Sequence, residues 1–375
     1  MNKRIYLSPP HMSGAEEKYI KEAFDKNWIT TSGENIESFE KGLSSYCNIP
    51  FALAVNSGTS ALHLALMALN VAEGDEVICS TLTFSATANP ILYCKATPVF
   101  VESEKCTWNM SPEFLEIAIK ERLKKGKKIK AIIPVHLFGN PAQMDEIMSL
   151  SRNFQIPVIE DAAESLGATY SNKMTGTIGD IGIYSFNGNK IITTSGGGAL
   201  ITSHQNIYHT AKYLACQARE NVKYYLHKDV GYNYRMSNVL AGIGRGQLEV
   251  IEDRIRSRRE NFETYKKLLE PSGKFKFQSE IENCSSNRWL SAVYIDGDTH
   301  LRDNIMTNLE SFNIESRHVW KPLHTQPIFS KYPYYGDRFS ESLFLNGLCL
   351  PSGSELKKEE IQFIAEMLVK TISRS

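Results

Sequence analysis

Phe51-Ala52-Leu53-Ala54-Val55-Asn56-Ser57-Gly58-Thr59-Ser60 leads directly into Ala61-Leu62-His63-Leu64-Ala65-Leu66-Met67-Ala68-Leu69. The first five residues are a continuous apolar run and predict a short buried strand. Residues 61–69 are almost wholly apolar and predict a buried helix, with a polar loop joining the two. The same unit recurs downstream. Glu76-Val77-Ile78-Cys79, Thr97-Pro98-Val99-Phe100-Val101, Ala131-Ile132-Ile133-Pro134-Val135 and Pro157-Val158-Ile159 are further short apolar runs, separated by helical or loop segments. Continuous rather than alternating apolar strands predict a sheet covered on both faces, mostly parallel, in an α/β domain.

The pattern changes near residue 246. Gln247 to Leu269 is a charged helical stretch, expected to be one long helix whose Arg254, Arg256, Arg258 and Arg259 form a solvated face. The expected division is a large domain over 1–245, including a Pro-containing N-terminal arm, and a small α+β domain over 246–375. A chain of 375 residues is long enough for both. Forty-two basic and forty-two acidic residues cancel, which argues against nucleic acid or an anionic membrane as partner. The seven cysteines are scattered and form no C-x-x-C pair, arguing against a disulfide framework or a zinc site. No stretch approaches the roughly 18 apolar residues of a membrane span. Ser8-Pro9-Pro10-His11 interrupts the only apolar run near the start, so a cytoplasmic protein without a signal peptide is expected.

Four places carry chemistry. Asn56-Ser57-Gly58-Thr59-Ser60 opens a helix, where free N–H groups can cradle a phosphate or simply be capped by a serine. Ser80-Thr81-Leu82-Thr83-Phe84 reaches the same sheet edge, and Phe84 could stack on a planar ring or fill core. Asp161 ends a strand where ligands of open α/β sheets gather, with Glu164 one turn on; either could also cap a helix. Tyr184-Ser185-Phe186-Asn187-Gly188-Asn189-Lys190 brings one lysine to a turn just before Gly196-Gly197-Gly198. Alone, that lysine reads as a solvated turn residue. Beside a strand-end acid, a stacking aromatic and a phosphate loop it reads as the Schiff-base lysine of a pyridoxal phosphate (PLP) enzyme, with Asp161 keeping the pyridine nitrogen protonated. The glycine run precedes a strand rather than opening a helix, so it is no dinucleotide fingerprint.

Asn-Ser-Gly-Thr-Ser-Ala-Leu (56–62), Thr-Phe-Ser-Ala-Thr-Ala-Asn (83–89), Ile-Glu-Asp-Ala-Ala-Glu-Ser-Leu-Gly-Ala (159–168) and Ser-Phe-Asn-Gly-Asn-Lys (185–190) together resemble the DegT/DnrJ/StrS sugar aminotransferases. The resemblance extends from Leu7 to Gly353. It implies PLP-dependent transferase fold type I and a homodimer with shared active sites. Lys190 is then the catalytic residue, Asp161 the partner of the ring nitrogen and Phe84 the stacking ring. Gly58, Thr59 and Ser185 would hold the phosphate, joined by Asn233 from the partner subunit. Arg317 and His324 match a segment near the sugar-nucleotide site. The run 187–198 is most similar to the subgroup that aminates UDP-4-keto-6-deoxy-N-acetylhexosamines on the bacillosamine route, with glutamate as donor; TDP- or GDP-linked keto sugars and a non-catalytic PLP-binding homologue are the alternatives. Two departures stand out. Glu164 replaces a common Gln, and an ionised Glu cannot donate to the ring hydroxyl. Ser195-Gly196-Gly197-Gly198 replaces a Gly-Glu-Gly-Gly run. Relatives that are dehydratases have His in place of the lysine, which Lys190 argues against.

Overall fold

The strand Phe51–Val55 pairs antiparallel with Gly198–Thr202, which pairs antiparallel with Ile181–Ser185. The latter lies parallel to Ile159–Asp161. Parallel bridges Ile132–Val158 and Val135–Asp161 carry the sheet on to Ile129–Ile133, then to Glu76–Ser80, Thr97–Val101 and the short edge strand Tyr334–Tyr335. This computed structural model describes residues 3–297 and 299–372; Met1 and Asn2 of the expected arm lie outside them. The apolar runs form the predicted strands because both faces are covered. Leu53, Val77, Ile132 and Ile183 are all buried between helices. Within this sheet only Gly198–Thr202 runs against the rest, so the parallel strands all deliver their carboxyl ends to one edge. This is the mostly parallel α/β sheet expected.

The helix after the first strand spans Gly58–Ala68, three residues earlier than its apolar pattern suggests. Ser57 caps it, its hydroxyl accepting from the Ser60 N–H at 3.0 Å, which leaves the Gly58 and Thr59 N–H groups without intrahelical acceptors. The glycine run makes this turn possible from the other side. A Cβ on Gly198 would sit 2.4 Å from the Gly58 nitrogen.

Towards the C-terminus, Phe275–Phe277, Ser291–Ile295, Gly347–Leu350 and Arg317–His318 form an antiparallel sheet in that order. Tyr265 of the helix Ile251–Leu269 and Ile364 of the helix Lys358–Ile372 pack on it with Val293 and Leu348. The N-terminal arm crosses to this unit, where Ile5 bridges Ile314 and the Ser352 N–H donates to the Leu7 carbonyl at 2.7 Å.

The single helix expected from Gln247 is instead two, Asn238–Leu248 and Ile251–Leu269, broken at Val250 (φ −115°, ψ 11°). The first uses glycines for close approach: a Cβ on Gly246 would lie 2.7 Å from the Glu16 nitrogen, and one on Gly244 2.8 Å from the Phe39 ring. The second presents long side chains, and the two halves face different neighbours. The solvated arginine face is corrected as well. Arg254 and Arg258 are buried, while Arg256 is exposed. Their apolar stems and fan of donors reach backbone that no charge pattern reveals.

Glu16 ties the first helix, Ala15–Asp25, to Asn238–Leu248, accepting from the Ser13 and Gly14 N–H groups and from the Gln247 amide at 2.5 Å. Burial works against its charge, but these hydrogen bonds outweigh it and hold the carboxyl down at about 2. A depressed acid contributes stability above its unfolded pKa of 4.5, and that contribution disappears as pH falls towards 2. Glu16→Gln is therefore expected to cost about 2 kcal/mol at pH 7. Urea melts should show the gap from wild type closing between pH 4.5 and 2; a gap independent of pH would refute this account.

Candidate active site

A cavity of about 1050 Å3 opens at the carboxyl edge of the sheet. Its walls include Gly58, Thr59, Phe84, Asp161, Glu164, Ser185, Lys190 and Arg317, contributed by five separate stretches of chain. Asn233 and His324 are not among them.

Lys190 follows the strand Ile181–Ser185, on a turn closed by its own N–H donating to the Asn187 carbonyl at 3.0 Å. Its Nζ lies 3.6 Å from Glu164 Oε1. The other Glu164 oxygen accepts from the Phe138 N–H at 2.7 Å. Burial raises the Glu164 pKa and nearby Asp161 adds to this, while Lys190 and the Phe138 N–H oppose it. A raised pKa moves Glu164 towards its protonated form, the form that can donate to a ring hydroxyl.

Asp161 ends its strand with both carboxylate oxygens engaged. Oδ2 accepts from the Thr87 hydroxyl at 2.7 Å and Oδ1 from the Ala163 N–H at 3.2 Å. Thr87 is supported in turn by Thr83, hydroxyl to hydroxyl at 2.8 Å. The expected capping role is thus present, but it uses one oxygen edge only. A buried carboxylate whose hydrogen-bond partners are all neutral is matched to a cation in the cavity.

Phe84 sits in the cavity wall with 62% of its surface exposed, an apolar ring left open rather than packed as core. A Cβ on Gly58 would come within 3.2 Å of the Ser185 Cβ, a tight contact that glycine avoids in this cradle. Two orphan N–H groups, a hydroxyl, an open ring, an anion with only neutral hydrogen-bond partners and a half-buried lysine fit the phosphate, ring face, ring nitrogen and aldehyde of PLP.

The two remaining predicted residues lie elsewhere. His324 is packed away: Thr81 and Glu341 engage its nitrogens at 2.6 and 3.3 Å, and the ring stacks on Tyr334 at 3.7 Å. Burial lowers its pKa, so it is neutral and ties the segment after residue 320 to the sheet. Asn233 has an exposed side chain, and its carbonyl accepts from the Asn56 amide at 3.3 Å. Arg317 is at the cavity mouth, paired with Glu315 at 2.9 Å. Sequence reasoning missed Thr87, Trp289 and Lys321. Thr87 carried a faint signal, a second threonine four residues after Thr83 in the segment that bears Phe84; Trp289 and Lys321 come from the distant C-terminal region and carried none.

Among the described residues no His, Cys, Asp and Glu group could hold a metal ion, and no helix is long and apolar enough to cross a membrane.

Known proteins resemble this chain over nearly its whole length. The chain is 50% identical over 373 residues to EpsN of Bacillus subtilis (strain 168), covering 98% of this chain and 96% of EpsN. It is 37% identical over 366 residues to the GDP-perosamine synthase of Escherichia coli O157:H7, covering 98% of each. The fold matches the PLP-form of Spr1654 from Streptococcus pneumoniae with a TM-score of 0.91, at 27% identity and 99% coverage of both chains. The DegT/DnrJ/EryC1/StrS aminotransferase family matches residues 10–369. With that match spanning nearly the whole chain and the cavity fitting the cofactor, the protein belongs to the DegT/DnrJ/EryC1/StrS family and is a PLP-dependent sugar aminotransferase.

Proposed function

We propose that this enzyme transfers an amino group from glutamate to C4 of a UDP-4-keto-6-deoxy-N-acetylhexosamine, making a UDP-4-amino sugar for glycan or polysaccharide synthesis in the cytoplasm. The observation that carries the chemistry is Lys190 Nζ held 3.6 Å from Glu164 in the cavity that Asp161 also lines. PLP, when bound, supplies the electron sink that stabilises negative charge on the reacting carbon. Lys190 Nζ takes the proton from the donor's α-carbon and in the second half delivers one to C4 of the sugar. Asp161, held by Thr87, keeps the ring nitrogen protonated. The Gly58 and Thr59 N–H groups and the Ser185 hydroxyl bind the phosphate, Phe84 covers the ring, and a protonated Glu164 donates to the ring oxygen. At the mouth, Arg317 and Lys321 supply positive charge for a diphosphate.

The reading includes a homodimer in which Asn233 enters the partner's site. The exposed Tyr224, Tyr225 and Val230 support it, an apolar group on the loop leading to Asn233. The reading also includes a large domain over 1–245 and a small one over 246–375, for which the separate antiparallel C-terminal sheet is the support. The UDP preference rests on the run 187–198. The 37% identity to a GDP-perosamine synthase favours a GDP-linked 4-keto sugar as the second reading. Incubation with UDP-, TDP- and GDP-4-keto sugars plus glutamate, followed by mass spectrometry, decides between them. Amination of the UDP substrate at least about tenfold faster than the GDP substrate is expected, about 1.4 kcal/mol of discrimination. The reverse ratio would establish the second reading.

A further inference from the structure

Trp289 is one of the largest fully buried side chains, with 1% of its surface exposed, and it lines the cavity from the C-terminal half of the chain. Its indole ring lies 4.0 Å from Lys190 Nζ, measured to the ring centroid. Its Nε1–H donates to the Asn189 carbonyl at 2.6 Å, one residue before the lysine. The Ser8 hydroxyl of the N-terminal arm donates to the same carbonyl at 2.7 Å. Arg258 joins the two, donating to the Trp289 carbonyl at 2.5 Å and to the Ser8 hydroxyl at 3.0 Å. Arg258 is buried with no carboxylate among its hydrogen-bond partners. Two neutral anchors thus hold a guanidinium in place, and through it they fix Trp289 and the arm against one peptide of the lysine turn.

We infer that Trp289 is a positioning residue for Lys190, forming with Glu164 a berth that holds the protonated amine whenever the lysine is released from the cofactor. The inference rests on the proposed role of Lys190. A lysine that moves a proton between carbons must carry it as an ammonium for part of each half-reaction, and a flexible four-carbon stem has many ways to point away. A ring face on one side and a carboxyl on the other make the ammonium's place at the reacting atoms the favoured one. Indole is the aromatic best suited to this, because its face carries the most negative potential. The titratable groups that act on the Lys190–Glu164 pair are Asp161 and, from the C-terminal sheet, Cys349, while Glu315, Arg317 and Lys321 also line the cavity. Of these the carboxylates of Asp161 and Glu315 also favour the ammonium, but Asp161 is engaged by Thr87 and Ala163, and Glu315 by Arg317. Truncating Trp289 therefore removes a stabilising contact that nothing else replaces.

The test uses enzyme loaded with pyridoxamine phosphate, in which the amine is free, and acetic anhydride as probe, with acetylation of Lys190 followed by peptide mass spectrometry. In Trp289→Leu, Lys190 is expected to react about tenfold faster than in wild type at pH 8, with Trp289→Phe in between. Both ratios should shrink as pH rises from 8 towards the ordinary lysine pKa of about 10.4, because a ring face favours only the ammonium. A ratio that stays constant with pH reports easier access alone and would overturn the inference, as would no change in rate. Trp289→Phe keeps an aromatic ring in the core, so the test stands if the leucine variant does not fold. Borohydride reduction of the PLP-loaded wild type provides the separate control. Failure to fix the cofactor on Lys190 would count against the proposed role of the lysine, whereas fixation with no pH-dependent ratio would count against the berth.

Discussion

Lys190→Ala is expected to abolish transamination, with a loss of at least about 10^4-fold, because one residue supplies both the covalent anchor and the proton carrier. The surroundings contain no substitute. Glu164 lies 3.6 Å away, but a carboxyl cannot form the covalent anchor that an amine forms. The variant should still fold, since among the described residues the lysine's Nζ meets Glu164 and Trp289 at the cavity wall rather than holding elements together. It should still bind PLP through the phosphate cradle while losing or shifting the yellow absorption band of the wild type. Stopped assays with glutamate and a keto-sugar substrate measure the loss, and an absorption spectrum measures the anchor. Residual activity above about one part in 10^3 would show that the proton moves by another route.

Asp161→Asn separates chemistry from stability. Activity is expected to fall by about 10^2- to 10^3-fold, the range seen when one preorganised electrostatic partner is lost. An amide is neutral and cannot keep the ring nitrogen protonated. The cofactor-free variant is nevertheless expected to melt at or above the wild-type temperature. In the wild type a buried carboxylate is satisfied by neutral donors alone, and removing its charge relieves desolvation. Thr87 can turn its hydroxyl to accept from the new amide. Measured with and without PLP, the two melting curves should cross: the wild type gains more from cofactor than the variant does. A variant that is both inactive and strongly destabilised without PLP would mean that Asp161 acts chiefly as a structural cap.

Much of this was legible in the chain because it is local. Strand, turn and helix at 51–68 follow from an unbroken apolar run, a serine cap and a glycine. The lysine turn and the strand-end acid follow from the same rule at 181–190 and 159–161. What was misjudged depends on partners far away in sequence. Arg254 and Arg258 looked solvated because their neighbours are charged, yet their guanidinium groups reach the backbone of His11 and Trp289. His324, expected near the sugar-nucleotide site, is placed by Tyr334 and Glu341 outside the cavity wall, which its own neighbours in sequence do not reveal. The helix break at Val250 reflects which surface each half meets, and a charge pattern says nothing about that.

By itself the sequence determined the covered parallel sheet, the edge to which its strands deliver their side chains, and the lysine and acid that stand there. Each depends on residues within a turn or two of one another, so propensity and apolar pattern suffice. Only the tertiary structure decided how those groups are surrounded. It set a glutamate and an indole ring on two sides of the lysine, gave the acid neutral donors, and joined the N-terminal arm to the C-terminal unit through one buried arginine. Such contacts link positions up to 250 residues apart. Their energies come from desolvation and geometry, which exist only once the chain has closed on itself.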